Sequence, residues 1–162
     1  MIKAIVFLSV DQMTYYPADA NTVVVSILDA SEAHHRPPLA GFHDVLRLVF
    51  EDTYEEVKCA VPGDWPDEPT DEEHRQFAQG KGERVPALSN ARAITEFLLT
   101  HQHTPREFTL VAHCFGGISR SAAVAVWAAV RFGVPISNAD MRSTDWANAR
   151  LIRLMDKADG RR

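Results

Sequence analysis

The stretch Phe108-Thr109-Leu110-Val111-Ala112-His113-Cys114-Phe115-Gly116-Gly117-Ile118-Ser119-Arg120-Ser121 decides the fold, together with the apolar run that follows it, Ala122 to Val130. Phe108 to Ala112 reads as a short buried strand, and Pro105 closes off whatever precedes it. Ser121 to Phe132 is nearly all apolar, the pattern of a helix buried on every side, and Gly133 and Pro135 end it. Between strand and helix lies a loop with two glycines. That arrangement gathers the loop's backbone N–H groups and the positive end of the helix around one point, where an anion can sit. Gly116 and Gly117 are expected to supply the backbone angles that turn several N–H groups inward. Cys114 opens the loop and Arg120 closes it, with five residues between them, so both can face the same point. A guanidinium matches two phosphate oxygens at once, and the field that holds an anion also favours thiolate over thiol. Ser121 can donate a hydrogen bond to the sulfur, and His113 is expected to position the loop through its ring nitrogens.

Working outward, Ile2 to Leu8 is a continuous apolar run, Thr22 to Leu28 a second and Val45 to Phe50 a third, broken by Arg47. All three read as buried strands. Ser9 and Gln12 have capping-box spacing, so a short helix is expected to start there. His34-His35-Arg36-Pro37-Pro38 reads as loop. Residues 51–87 are rich in Gly, Pro and charge, and read as a long surface excursion with one short helix, begun by Thr70 and Glu73 and ended near Gly80. Asn90 to Gln102 is helical in period, with Ile94, Phe97, Leu98 and His101 on one face. A last amphipathic helix is expected from about Trp146 to Lys157. Strands alternating with helices predict an α/β fold with a mainly parallel central sheet of four to five strands, read as one domain over 1–162 with a loop or lid insertion at about 54–87.

His-Cys-x-x-Gly-x-Ser-Arg-Ser resembles the signature of the protein tyrosine phosphatases, in the form seen in their dual-specificity branch, and the resemblance extends over about residues 20–157. It implies a two-step hydrolysis. Cys114 attacks phosphorus to give a phosphocysteine, and an aspartic acid protonates the departing oxygen, then activates water. It also implies that the backbone of Phe115, Gly116, Gly117, Ile118 and Ser119, with Arg120, holds the phosphate, while Ser121 assists the sulfur. No metal or other cofactor is required. The strand Val45 to Phe50 followed by Asp52 resembles the family's strand leading to the general acid. Trp65-Pro66-Asp67 resembles the acid loop of the tyrosine-specific members, but there the tripeptide directly follows the strand, whereas here some fifteen residues intervene. Position therefore favours Asp52 over Asp67.

The remaining features set limits. The chain of 162 residues carries a net charge of −5, which argues against nucleic acid or an acidic membrane as partner. Two cysteines are too few for a disulfide framework, and the first apolar run is short for a signal peptide, so a cytoplasmic setting is expected. Cys59 reads as a loop thiol that could pair with Cys114, as backdoor cysteines do in some relatives. His101-Gln102-His103 reads as a solvated helix end rather than a metal pair, His34-His35-Arg36 as a polar loop able to rim the pocket, and the acidic stretch 64–73 as a solvated face. The expected substrate is a phosphorylated protein, with phosphotyrosine foremost. A small phosphomonoester is the second reading, and a phospho-binding pseudophosphatase the third. The absence of lysine between Cys114 and Arg120 weighs against inositol phosphates, and the presence of a cysteine, an arginine and an acid weighs for turnover.

Overall fold

A computed structural model describes residues 1–54, 65–78 and 84–161 of the chain. Its strands are β1 (Ile2–Leu8), β2 (Thr22–Leu28), β3 (Asp44–Val49) and β4 (Phe108–His113). They form a four-stranded sheet in the order β1-β4-β2-β3, with every neighbouring pair parallel. The α/β expectation is met, among the described residues at the lower strand number and with no antiparallel member. β2 is buried along its whole length, as its unbroken Val/Ile run demands.

Among the described residues the helices are α1 (Val10–Thr14), α2 (Asp71–Phe77), α3 (Leu88–Gln102), α4 (Arg120–Phe132) and α5 (Ala149–Ala158). α1 and α2 begin with the capping boxes expected from Ser9/Gln12 and Thr70/Glu73. α2 stops at Ala78, short of the expected Gly80, which lies outside the described residues. α3 starts two residues before Asn90, and its Ile94, Leu98 and His101 are buried as the period required. α4 ends on Gly133 in the left-handed conformation, φ 67°. Its burial is not complete all round, because Val130 in its last turn stands in solvent.

Three expectations are corrected. The last helix begins at Ala149, capped by Asn148, and Trp146 precedes it as an exposed side chain instead of joining its apolar face. Ala33–His35 form one 3-10 turn, so the His34–Pro38 stretch is not wholly irregular. His101 is not solvated. It is buried, its Nδ1 lies 2.8 Å from the Phe97 carbonyl and its Nε2 3.3 Å from Asp44 Oδ2.

The two faces of the sheet differ in cover. α3, α4 and α5 close one face, where Ile94, Ala122, Ala125 and Leu154 pack with Ile5, Phe7 and Leu110. α1 and the chain around Leu39 cover the other, where Met13 meets Leu8, Val24 and Val111. Thus β1 and β4 are neighbours whose following helices leave to opposite faces. In open α/β sheets such a divergence opens a crevice beyond the strands' carboxyl ends, the usual seat of a ligand. Here it is spanned by two backbone bonds, Cys114 N–H to Leu8 O at 3.3 Å and Val10 N–H to Phe115 O at 3.1 Å.

Candidate active site

The loop 114–119 occupies that crevice, so the sequence's decisive stretch lies where the topology opens. Cys114 follows directly on β4 and is buried. Its Sγ is 3.2 Å from Ser121 Oγ in the first turn of α4. None of the backbone N–H groups of residues 115–120 donates to an acceptor among the described residues, which leaves them available to an anion. Of the two glycines only Gly117 needs to be glycine. It has φ 63°, and a Cβ there would come within 2.5 Å of the Leu8 carbonyl carbon and closer still to the Ser9 nitrogen. Gly116 has φ outside the left-handed range, and a Cβ on it would meet nothing nearer than Ile118 Cδ1 at 3.7 Å.

Arg120 is almost completely buried, and two strand ends hold it. Nη1 donates to the Phe50 carbonyl at 2.9 Å, just past β3, and Nη2 meets both oxygens of Glu32 at 3.0 and 3.2 Å, just past β2. Its Nε–H is buried with no partner among the described residues. A buried donor of this kind is costly unless something accepts from it. Glu32 is a site residue that the sequence reading missed. Its signal was present: Asp29 and Glu32 stand at capping-box spacing and bond reciprocally, Glu32 N–H to Asp29 Oδ1 and Asp29 N–H to Glu32 Oε2, each at 2.9 Å.

The two candidate acids are in different situations. Asp52 lies against the anion loop: Ser119 Oγ donates to its Oδ1 at 2.6 Å and Asn148 Nδ2 at 3.0 Å. Its Oδ2 has a longer contact with the Tyr54 hydroxyl, 3.4 Å. Burial foremost pushes the Tyr54 phenol up, which keeps it a neutral donor. Asn148 was also missed. It is fully buried and donates to the Thr53 carbonyl at 3.0 Å, and its own N–H reaches the Ser119 carbonyl at 3.2 Å.

Asp67 faces away from this network, toward α5. It is ion-paired to Arg153 at 2.7 Å and to Lys157. Burial alone would raise its pKa, but the hydrogen bonds from Lys157 and Arg153 outweigh burial and hold it below the usual carboxylate range. Trp65 is buried in a stack with Phe77, ring centroids 4.5 Å apart, and lies under the Arg150 guanidinium. The Trp-Pro-Asp segment is thus fastened to the last helix, while Asp52 touches the loop.

His113 is fully buried, and neither ring nitrogen has a partner among the described residues, so the expected loop-positioning bonds are not found there. Burial, with a smaller push from Arg36, lowers its pKa to about 4, so the ring is neutral at physiological pH. His35 does rim the loop, with its ring 5.5 Å from that of Phe115. Cys59 and Asp64 lie outside the described residues.

No protein-family model and no curated protein matches the chain. Among solved structures it is similar to the human tyrosine phosphatase-like serine/threonine/tyrosine-interacting protein, at 16% identity and a TM-score of 0.42 over 87% of this chain and 78% of that one. It is likewise similar to Tk-PTP in the active form, at 13% identity and a TM-score of 0.43 over 99% and 93% of the two chains. Similarities this distant say nothing of activity, which has to come from the loop's own atoms.

Among the described residues those atoms offer a buried thiol against a hydroxyl, a run of unengaged N–H groups, a guanidinium Nε–H without an acceptor and a carboxylate at the rim. Such a set can hold a tetrahedral oxyanion against a sulfur nucleophile with an acid nearby.

Proposed function

We propose that this chain is a cysteine-dependent phosphatase that hydrolyses phosphomonoesters, phosphotyrosine foremost, through a phosphocysteine intermediate. The observation that carries this reading is the buried Nε of Arg120, which has no partner among the described residues, at the close of a loop that begins with Cys114 and whose N–H groups from 115 to 120 are likewise unengaged there. The signature that resembles the dual-specificity phosphatases supports it.

In the first step the Cys114 thiolate attacks phosphorus and the bond from phosphorus to the ester oxygen breaks. Asp52, protonated, gives its proton to that oxygen as the alcohol or phenol leaves. Its Oδ1 is taken by Ser119 and Asn148, which leaves Oδ2 to carry the proton. In the second step Asp52, now a carboxylate, takes a proton from water as the water oxygen attacks phosphorus. The S–P bond breaks, inorganic phosphate leaves, and Ser121 Oγ donates to the regenerated thiolate. Arg120 and the loop N–H groups bind the equatorial oxygens throughout, where charge builds up. Glu32 and the Phe50 carbonyl hold the guanidinium in place for that task.

Hydrolysis of p-nitrophenyl phosphate tests the reading. Turnover is expected to persist in EDTA, to be blocked by vanadate and to vanish in Cys114→Ser. Activity that survives that substitution, or that needs a metal, overturns it; a chain that binds vanadate without turnover is a binding module instead.

A further inference from the structure

An open groove of about 660 Å³ lies beside the anion loop. Its apolar walls include Leu8, Ile118, Met141 and Trp146, and Ser137 and Ser143 also line it. Three of these walls are unusually bare for large apolar side chains: Ile118 is 52% exposed, Trp146 65% and Met141 82%. Isolated exposed apolar residues need no explanation, but three that line one concavity mark a contact surface.

The groove is fixed relative to the loop. Arg142 donates to the Gly117 carbonyl and to Gln12 Oε1, and its guanidinium lies 5.8 Å from the Phe7 ring centroid. That ties the connection between α4 and α5 to the loop, and Gly117 and Ile118 belong to both loop and groove. Whatever fills the groove is therefore held in register with an anion bound by the same loop.

We infer that the groove takes a large apolar side chain close in sequence to the phosphorylated residue of a peptide substrate. The inference rests on the phosphatase reading and names its substrate class. The volume lies within the ~300–1,000 Å³ common for ligand pockets and is ample for one such side chain. A peptide also brings an N–H and a C=O with every residue, and these need partners as they leave water. Ser137 and Ser143 line the groove and carry hydroxyls able to serve as such partners, for which a hydrocarbon chain would have no use. The net charge of −5 gives no attraction to an anionic lipid surface. Trp and Met suit the task, the first as a broad rigid contact and the second as an adaptable one.

The test uses labelled phosphotyrosine peptides of equal length that carry either Leu or Ser within two positions of the phosphotyrosine. Binding to the Cys114→Ser chain is read by fluorescence anisotropy. The Leu peptide is expected to bind about tenfold or more tightly than the Ser peptide, as for a side chain entering an apolar pocket. Trp146→Ala and Met141→Ala are each expected to shrink that ratio, with the Ser peptide as internal control. Equal binding of the two peptides overturns the inference, as does a preference that survives both substitutions. Tighter binding of a free alkyl phosphate, or of phosphatidic acid vesicles, that depends on Trp146 overturns the peptide as occupant. A Trp146-dependent peptide preference in a chain that never turns over p-nitrophenyl phosphate supports the groove and counts against hydrolysis.

Discussion

Replacing Asp52 and, separately, Asp67 with Asn probes which carboxylate serves the departing oxygen. In Asp52→Asn the amide oxygen can still accept from Ser119 and Asn148, which now meet at Oδ1 at 2.6 and 3.0 Å, so the loop is left in place. What is lost is the proton. General acid catalysis contributes about 10²–10⁴-fold, or roughly 3–5 kcal/mol of barrier at 1.36 kcal/mol per tenfold. The loss should depend on the leaving group. A phenol such as tyrosine, with a pKa of about 10, needs the proton, whereas p-nitrophenol is a far better leaving group without it. Steady-state turnover by Asp52→Asn should therefore fall about 10²–10⁴-fold with phenyl phosphate or a phosphotyrosine peptide, and much less with p-nitrophenyl phosphate. Asp67→Asn instead removes ion pairs to Arg153 and Lys157, both partly exposed. Each is worth about 0.2–1 kcal/mol after screening, or about 0.4–2 kcal/mol for the two, so a fall in melting temperature of roughly 1–8 °C is expected, with turnover little changed. A greater loss of turnover in Asp67→Asn, or a loss in Asp52→Asn that is the same for both leaving groups, would refute the assignment.

Stability should fall as pH drops from about 6.5 to about 4, because His113 stays neutral in the fold while the unfolded chain takes up its proton. Up to about 1.4 kcal/mol per pH unit is at stake, and urea titrations should show this component missing from His113→Phe. Glu32→Gln leaves the buried Arg120 charge uncompensated and should cost roughly 1–3 kcal/mol. Vanadate should restore much of that in thermal melts, and an unchanged melting temperature would argue against the ion pair. Gly117→Ala should abolish vanadate binding through its clash with Leu8 and Ser9, while Gly116→Ala keeps it; equal binding by both would show that the loop yields to a Cβ.

Most of the sheet was legible from its apolar runs, and Ile2–Leu8 and Thr22–Leu28 match β1 and β2 residue for residue; the third run, expected as a buried strand, is instead the sheet's half-exposed edge β3, with no buried residue. The anion loop was legible for a related reason, since the requirements of the turn and the helix start fall on consecutive residues. Glu32 and Asn148 were harder to see, because each acts through partners far along the chain: Arg120 is 88 residues from Glu32, and Asp52 is 96 from Asn148. Trp146 was misplaced because its spacing to Ala149 fits a helical face, whereas Asn148 caps the helix and cuts that period short. The distance of the Trp-Pro-Asp string from its strand already set it apart from Asp52 in the sequence, but what Asp67 does instead was not legible: its ion pairs, and the packing of Trp65 on Phe77, join residues far apart along the chain or hidden in the fold.

Asn148 bonds at once to Ser119 in the loop, to Asp52 and Thr53 beyond β3, and to Leu151 in the helix it starts. The order of synthesis then matters. A nascent chain that ends before Asn148 already contains the cysteine and the arginine, but nothing yet joins the loop to the acid's segment from the helix side. The cross-tie comes from a stretch made after Asp52, Cys114 and Arg120, so a chain cut short before Asn148 would carry all three side chains and still lack the bonds that set their segments in register. Assembly of the site and docking of α5 thus become one event.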